Sequence, residues 1–218
     1  MDDMKKIESG YKKHVGIYDD ALTSKSFLMK LYNRIAWGMD DEEYVDNVLG
    51  FIPKDFSGSI LDIPVGTAVH TSLKYSQMTD ACITAVDYSE SMLGEAEVRL
   101  GELRNVNLIK GDVGSLPFED ASFDLVFSMN GFHAFPDKQK AFAETYRVLR
   151  EKGVFCGCFY IKGQRFMTDF LVNILYVKKG WFSPPFYTLG ELREILKTKY
   201  SKIRIDHVKS IACFYCVK

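Results

Sequence analysis

Ile60-Leu61-Asp62-Ile63-Pro64-Val65-Gly66-Thr67-Ala68 is the stretch on which the fold turns. An apolar run, Ser59–Ile63, ends in a turn that lacks bulky side chains, and a helical pattern, Val69–Gln77, follows at once. A strand that feeds a turn and then a helix is the repeating unit of a doubly wound α/β sheet. Such a turn lets a ligand approach the backbone at the amino end of the next helix. Every fold of this class contains the unit, so the stretch fixes architecture before it fixes chemistry.

Working outward, short apolar runs alternate with longer helical ones. Strands are expected at Ala81–Asp87, Val106–Lys110, Phe123–Ser128, Gly153–Tyr160, Lys202–His207 and Ile211–Val217. The earlier runs are apolar on both faces, as in strands covered by helices on each side. Helices are expected at Ser89–Leu103, with Ser89 as cap, at Asp137–Arg150 and at Leu189–Lys199. This order predicts a mostly parallel, seven-stranded, Rossmann-like sheet. The short link Val208–Ser210 predicts a final hairpin with an antiparallel edge strand. Residues 1–57 fall outside the repeat and read as an N-terminal helical cap of the same domain, with apolar positions such as Tyr18, Leu22 and Tyr44. The rest, residues 58–218, forms the main domain, with a cap-like insertion at 163–187 broken by Ser183-Pro184-Pro185.

Composition bounds the function. The chain has 218 residues, 47 % hydrophobic and 26 % charged, which is globular. No apolar run reaches transmembrane length, and the charged start Met1–Lys6 lacks the apolar core of a secretory signal, so a cytoplasmic setting is expected. Net charge is −1, which argues against a nucleic-acid grip. Residues 141–218 nevertheless carry 14 Lys and Arg against 6 Asp and Glu. That is either an ordinary solvated face or a basic rim. Cys156, Cys158, Cys213 and Cys216 could suggest a zinc site. Residues three apart on a strand face opposite ways, however, so Cys213 and Cys216 cannot easily converge on one ion. The five cysteines read as buried free thiols, and no metal is expected.

Asp87 closes the second strand, 21 residues after Gly66. An acid at about this distance accepts hydrogen bonds from ribose hydroxyls in nucleotide-binding α/β units, although a helix-capping aspartate reads the same way. Further on come Lys110-Gly111-Asp112-Val113, then Leu116-Pro117-Phe118-Glu119-Asp120 with Phe123-Asp124, then Asn130-Gly131-Phe132-His133, and finally Arg147-Val148-Leu149. In this order the pieces resemble the class I S-adenosylmethionine (SAM)-dependent methyltransferases, most of all the ubiquinone/menaquinone-biosynthesis group. The resemblance is dense over Ile60–Tyr160. It departs where the family's Gly-x-Gly-x-Gly turn becomes Pro64, Gly66 and Ala68, and where Pro-Gly-Gly becomes Glu151-Lys152-Gly153.

The resemblance implies SAM as cofactor and S-adenosylhomocysteine as product. It implies that Asp62 and the turn Pro64, Gly66, Thr67 and Ala68 hold the amino-acid end. It gives Asp87 the ribose, Tyr88 and Met92 the adenine face, Gly111, Asp112 and Val113 the adenine edge, and Asn130 and Gly131 the sulfonium side. Methyl transfer is an in-line displacement that needs alignment and exclusion of water, and a base only if the acceptor must lose a proton. His133, just after the fourth strand, is the candidate base; a packed loop histidine is the other reading. Tyr32, Trp37 and Phe135 are candidates for the substrate side, with core packing as the alternative for the aromatics. The expected partner is a small-molecule methyl acceptor. A dehydrogenase would need the glycines that Pro64 and Ala68 replace. A non-catalytic SAM or S-adenosylhomocysteine binder and an RNA methyltransferase stay as alternatives.

Overall fold

Gly58–Asp62 forms β1 of a computed structural model that describes residues 27–38 and 42–218. Tyr18 and Leu22 of the expected cap lie outside the described residues. Ahead of β1 come α1 (Phe27–Ala36) and α2 (Glu42–Leu49). After it run α3 (Ser72–Ser76), β2 (Ala81–Asp87), α4 (Glu90–Leu100), β3 (Val106–Lys110), β4 (Phe123–Met129), α5 (Lys138–Val148) and β5 (Leu149–Tyr160). The insertion holds α6 (Phe166–Leu171), a π turn (Val172–Tyr176) and α7 (Val177–Lys179). The chain ends with α8 (Leu189–Lys197), β6 (Lys202–Val208) and β7 (Ile211–Val217).

Among the described residues the sheet has seven strands in the order β3-β2-β1-β4-β5-β7-β6. Strands β1 to β5 pair in parallel. The β6–β7 hairpin is antiparallel, with β7 inserted beside β5 and β6 outermost. This is the doubly wound architecture that the sequence predicts.

Strand periodicity builds the core. Ile60 faces one apolar layer with Tyr75, Leu125 and Cys156, while its neighbour Leu61 faces the other with Phe132, Phe142 and Phe155. The same alternation puts Cys213 in the first layer and Cys216 in the second. All five thiols are free, and four are buried; Cys82 is exposed, because it sits at an outward position near the start of β2. Helix α2 lays Tyr44, Val45 and Val48 into the first layer, so part of the expected cap is core.

Local chemistry explains the boundaries. Ser89 caps α4 by accepting from Met92 N–H, and Thr188 and Glu191 form a reciprocal capping box on α8. The helix expected from Val69 begins only at Ser72: Ala68 adopts φ 59°, which turns the chain out of the right-handed helical path. Strand β5 starts at Leu149 rather than Gly153, because Leu149 pairs with Phe123 ahead of a bulge and regular pairing resumes at Val154.

The motif residues that no ligand would touch have structural work. Arg147 donates to the carbonyls of Leu116 and Phe118 and pairs with Asp120 and Glu144 at 2.8 Å, fixing the loop before β4. Arg150 pairs with Asp124 at 2.6 Å, and Asp124 accepts from Ser59 N–H and Oγ at 2.8 Å. That acid staples β4 to β1, and burial does not stop its partners from holding it below the usual carboxylate range.

Candidate functional site

The strand order reverses between β1 and β4, and the loops after these two strands part there. A cleft of about 970 Å³, counted to its open mouth, lies at that point. Clefts at such switch points are the ligand sites of open α/β sheets. Asp62, Pro64, Gly66, Thr67, Ala68, Asp87, Tyr88, Met92, Gly111, Val113 and Asn130 all line it. So does Phe135. Asp112 and Gly131 are not among its lining residues. The Asp112 carboxylate accepts from Gly114 N–H at 2.8 Å, which closes a turn of its own. Gly131 packs behind Pro64, where a Cβ would meet the proline ring carbon Cδ at 2.1 Å.

Main-chain hydrogen bonds fix the turn. Ile63 N–H donates to Phe127 O and Val65 N–H to Val86 O, both at 2.9 Å, so the turn is tied to β4 and β2. Asp87 completes the tie. Its Oδ2 accepts from Gly66 N–H and its Oδ1 from Ser89 N–H, each at 2.9 Å. Burial raises its carboxyl to about 6, against the lowering by these amides. Each oxygen retains a lone pair for a ligand hydroxyl. Ser89, not Asp87, caps α4, and Asp87 braces that cap and the turn while lining the cleft.

Beneath the turn, Asp62 is 1 % exposed and its Oδ2 accepts from Tyr75 Oη–H at 2.8 Å. Burial pushes its carboxyl up to about 8. Beside it are two residues that the sequence reading missed, His70 and Thr71. They fall within the helix expected from Val69, and the delayed helix start leaves them in the loop. The Thr71 hydroxyl is buried with no hydrogen-bond partner among the described residues. An orphaned hydroxyl on a cleft wall is a place for a polar ligand group.

The β4 bank differs. Asn130, at φ 55°, donates through Nδ2 to Tyr44 Oη at 3.1 Å, which brings α2 to the cleft edge. Met129, Ala134, Phe135 and Pro136 make the rest of this wall apolar. His133 is not part of the lining. It is 6 % exposed, its Nδ1 accepts from Tyr160 N–H at 3.3 Å, and its ring stacks on Phe182 at 3.9 Å. Burial first, then nearby Lys138, lowers its pKa to about 3. A base needs a lone pair facing the acceptor. The Nδ1 lone pair of His133 is engaged by the backbone, so the geometry supports the packed reading and not the base.

Tyr32 and Trp37 also stand away from the lining. Trp37 stacks on Tyr176 at 5.8 Å and meets Tyr160 edge-on at 6.1 Å, and Tyr32 Oη shares a hydrogen bond with Tyr176 Oη. They build an aromatic layer with Phe182 that backs the cleft wall through His133. Lys138 locks that layer down. It is 4 % exposed, and its Nζ donates to Phe135 O at 2.9 Å and to Ser183 O. Burial lowers its pKa to about 8. Ser183 N–H in turn donates to His133 O at 2.9 Å.

The donor set fits an adenosyl ligand with an amino-acid end. A buried acid with spare lone pairs stands at Asp87, an apolar wall at Tyr88, Met92 and Val113, and an unsatisfied hydroxyl at Thr71. Among the described residues no group of His, Cys, Asp and Glu is placed to hold a metal, and no helix is long and apolar enough to cross a membrane.

Comparison with known proteins points the same way. Residues 60–153 match the Methyltransferase domain family. A demethylmenaquinone methyltransferase of Thermotoga maritima is 34 % identical over 146 residues, which is 65 % of this chain and 59 % of that protein. The chain therefore spans about three fifths of the length of this curated relative. In fold, a SAM-dependent methyltransferase from Thermotoga maritima superposes with a TM-score of 0.70 over 96 % of this chain and 98 % of its own, at 17 % identity. Phosphoethanolamine N-methyltransferase 2 of Haemonchus contortus, solved with S-adenosyl-L-methionine, gives 0.63 over 76 % of this chain and 38 % of its own, at 24 % identity. The order of turn, strand-end acid and cleft in this chain is thus similar to that of the class I, SAM-dependent methyltransferases, and the sequence match to the Methyltransferase domain family spans the same segment, residues 60–153.

Proposed function

We propose that this protein transfers a methyl group from SAM to a small-molecule acceptor. The observation that carries the reading is the meeting of three elements at the switch point: the Pro64–Ala68 turn, Asp87, and the loop from Asn130 to Phe135. The chemistry supplied by bound SAM is an electrophilic methyl group on a sulfonium, which leaves S-adenosylhomocysteine when the methyl is taken.

The chain's own part is to bind, orient and keep water out. Asp87 holds ribose hydroxyls with the lone pairs its backbone amides leave over. Asp62, Thr71 and the turn take the amino-acid end, and Tyr88, Met92 and Val113 enclose the base. Asn130, braced by Tyr44, and the apolar residues Met129, Ala134 and Phe135 shape the acceptor side. Positioning of this kind can supply roughly 7–11 kcal/mol of the barrier reduction. No protein base is assigned, which suits an acceptor that arrives already nucleophilic. Tyr32 and Trp37 act behind the wall, setting its shape.

Similarity to a demethylmenaquinone methyltransferase of Thermotoga maritima makes a demethylated quinol, the reduced and nucleophilic form of such a quinone, the first acceptor to try, its ring carbon taking the methyl and releasing its proton to solvent. The apolar acceptor wall supports a small molecule over RNA, which would need a basic track at the cleft mouth. A cytoplasmic setting belongs to the proposal and is supported by the five free thiols.

Isothermal titration of the protein with SAM, S-adenosylhomocysteine and NAD tests the cofactor. Binding of both adenosyl compounds with no response to NAD is expected. Binding of NAD alone, or of nothing, overturns the reading. SAM binding without turnover of any quinol, amine or phenol acceptor leaves the non-catalytic binder in its place.

A further inference from the structure

The cap carries an apolar face that the cleft does not use. On α1, Leu31 and Ile35 are one turn apart and 46 % and 57 % exposed. On α6 and the π turn, Phe166, Met167, Phe170 and Ile174 are 83 %, 44 %, 48 % and 43 % exposed. Phe166 and Phe170 stack on each other at 6.2 Å, in the open. The two helices are fastened together. Thr168 Oγ1 donates to Ala36 O at 2.7 Å and Arg165 Nη2 to Ile35 O at 3.5 Å, which sets Ile35 beside the start of α6. The inner side of the same stretch is buried through Thr168, Val172 and Tyr176. A single exposed apolar side chain is ordinary. Six large ones on two joined helices mark an interaction surface.

Charge selects the partner. Lys30 and Arg34 run beside Leu31 and Ile35 along α1, Arg165 precedes Phe166, and Lys178 and Lys179 end the insertion's helical stretch. Residues 30–35 and 165–179, which carry the exposed apolar side chains, hold five Lys and Arg and a single acid, Asp169. Both oxygens of that acid are engaged, by Tyr160 Oη–H and Gly163 N–H. A second copy of this face would set these cations against one another. An anionic lipid surface answers both features: aromatic and aliphatic side chains enter the acyl boundary while Lys and Arg reach the phosphates.

We propose that the α1–α6 face docks the protein on an anionic lipid bilayer. The inference rests on this face alone and stands whether or not the methyl-transfer reading holds. The test is sedimentation of the full chain with vesicles of phosphatidylglycerol and phosphatidylcholine in equal parts, and with phosphatidylcholine alone. The expected result is binding to the mixed vesicles that weakens severalfold as salt rises from 50 to 500 mM, in line with surface-charge screening, roughly as the Debye length falls. The Phe166→Ser/Phe170→Ser variant should bind them at least about tenfold more weakly, since two exposed aromatics carry most of the apolar contact. Both rings are exposed, so the variant should fold, which an unchanged melting temperature checks. No binding by the parent chain overturns the proposal, as does equal binding by the variant. Dimerisation in solution that the double variant abolishes would assign the face to a second copy and would overturn it too.

Discussion

On the β1–β2 bank of the cleft, main-chain amides fix the turn: Val65 is tied to Val86, and Gly66 and Ser89 are tied to the Asp87 carboxylate. On the opposite bank, rings and one buried ammonium do that work: His133 on Phe182, Trp37 on Tyr176, and Lys138 reaching Phe135 and Ser183. The first bank is local in sequence and depends on backbone geometry. The second joins segments far apart in the chain and depends on packing. A bank of the first kind suits a constant ligand, and one of the second kind can change its acceptor by changing rings. Substitutions on one bank should therefore move cofactor affinity, and substitutions on the other should move acceptor use.

The largest effect should come from Asp87→Ala. A charged hydrogen bond is worth about 1.5–3 kcal/mol, so loss of the ribose contacts should weaken SAM binding by about 100-fold in titration. The same change strips two buried amides of their acceptor, at a cost of about 1–3 kcal/mol each, so the melting temperature should fall as well. Asp87→Asn keeps one acceptor oxygen and should lie between. Loss of affinity with an unchanged melting temperature would show that the two amides find other partners and that this bank is not backbone-governed.

Across the cleft, Lys138→Met keeps length and apolarity but leaves Phe135 O and Ser183 O without their donor. Unfolding should become easier by about 1–3 kcal/mol, the cost of unsatisfied buried carbonyls. Acceptor KM should rise with SAM affinity unchanged within about twofold, the noise expected of a site that is untouched. A matching loss of SAM affinity would merge the two banks into one unit.

The same contrast explains what was legible in the sequence. The succession of strands and helices, the turn, and an acid at the end of β2 beside it were readable because each signal is local: an apolar run, small turn residues, an acid at a fixed spacing. His70 and Thr71 were lost because the helix was read from Val69, and nothing in the side chains announces that Ala68 takes a left-handed φ. His133 stayed open between base and packed histidine because position after a strand does not reveal which way a ring points, and here it points inward to Tyr160 N–H. Tyr32 and Trp37 were readable as aromatics but not as members of a layer with Tyr176 and Phe182, partners more than a hundred residues away. The arginine of Arg147-Val148-Leu149 was legible as a motif, and only the structure shows that it binds the Leu116–Asp120 loop.

A smaller effect should appear in pH. Folded Asp62 keeps its proton to about pH 8, while in the unfolded chain it ionises near 3.9. Above pH 6.5 the Asp87 carboxyl, at about 6, is mostly charged in both states, His133 sheds its proton only in the unfolded chain, and folded Lys138, at about 8, begins to lose its own near pH 8. Between pH 6.5 and 7.5 the extra native proton of Asp62 outweighs these, and stability falls as pH rises, by about 1 kcal/mol per unit; towards pH 8 the proton lost from Lys138 offsets the trend. The melting temperature of the ligand-free protein should drop by a few degrees from pH 6.5 to 7.5, and Asp62→Asn should flatten the drop. A cationic group brought next to Asp62 favours the charged form, so SAM binding near pH 7 should release a proton, read from titrations in buffers of different ionisation enthalpy. A flat melting profile, or no proton release, would take Asp62 out of the amino-acid subsite.

The smallest effect gives the sharpest test of backbone control. Ala68 sits at φ 59°, where a Cβ costs about 1–2 kcal/mol, and the family places glycine there. Ala68→Gly removes that strain but adds unfolded-chain entropy worth about 0.4–1 kcal/mol, so a net gain of about 0.5 kcal/mol, or one to two degrees, is expected. Gly66→Ala runs the comparison in reverse. No atom stands within 4 Å of the Cβ it would add, yet φ is +57°, so it should lose about 1 kcal/mol through conformation alone. Opposite signs at two positions two residues apart, with no contact made or broken at Gly66, would isolate main-chain conformation as what the glycine pattern of this turn encodes. Equal signs would mean that the turn is held by its hydrogen bonds to Val86 and Asp87 whatever its φ angles, and Pro64 and Ala68 would then be no compromise at all.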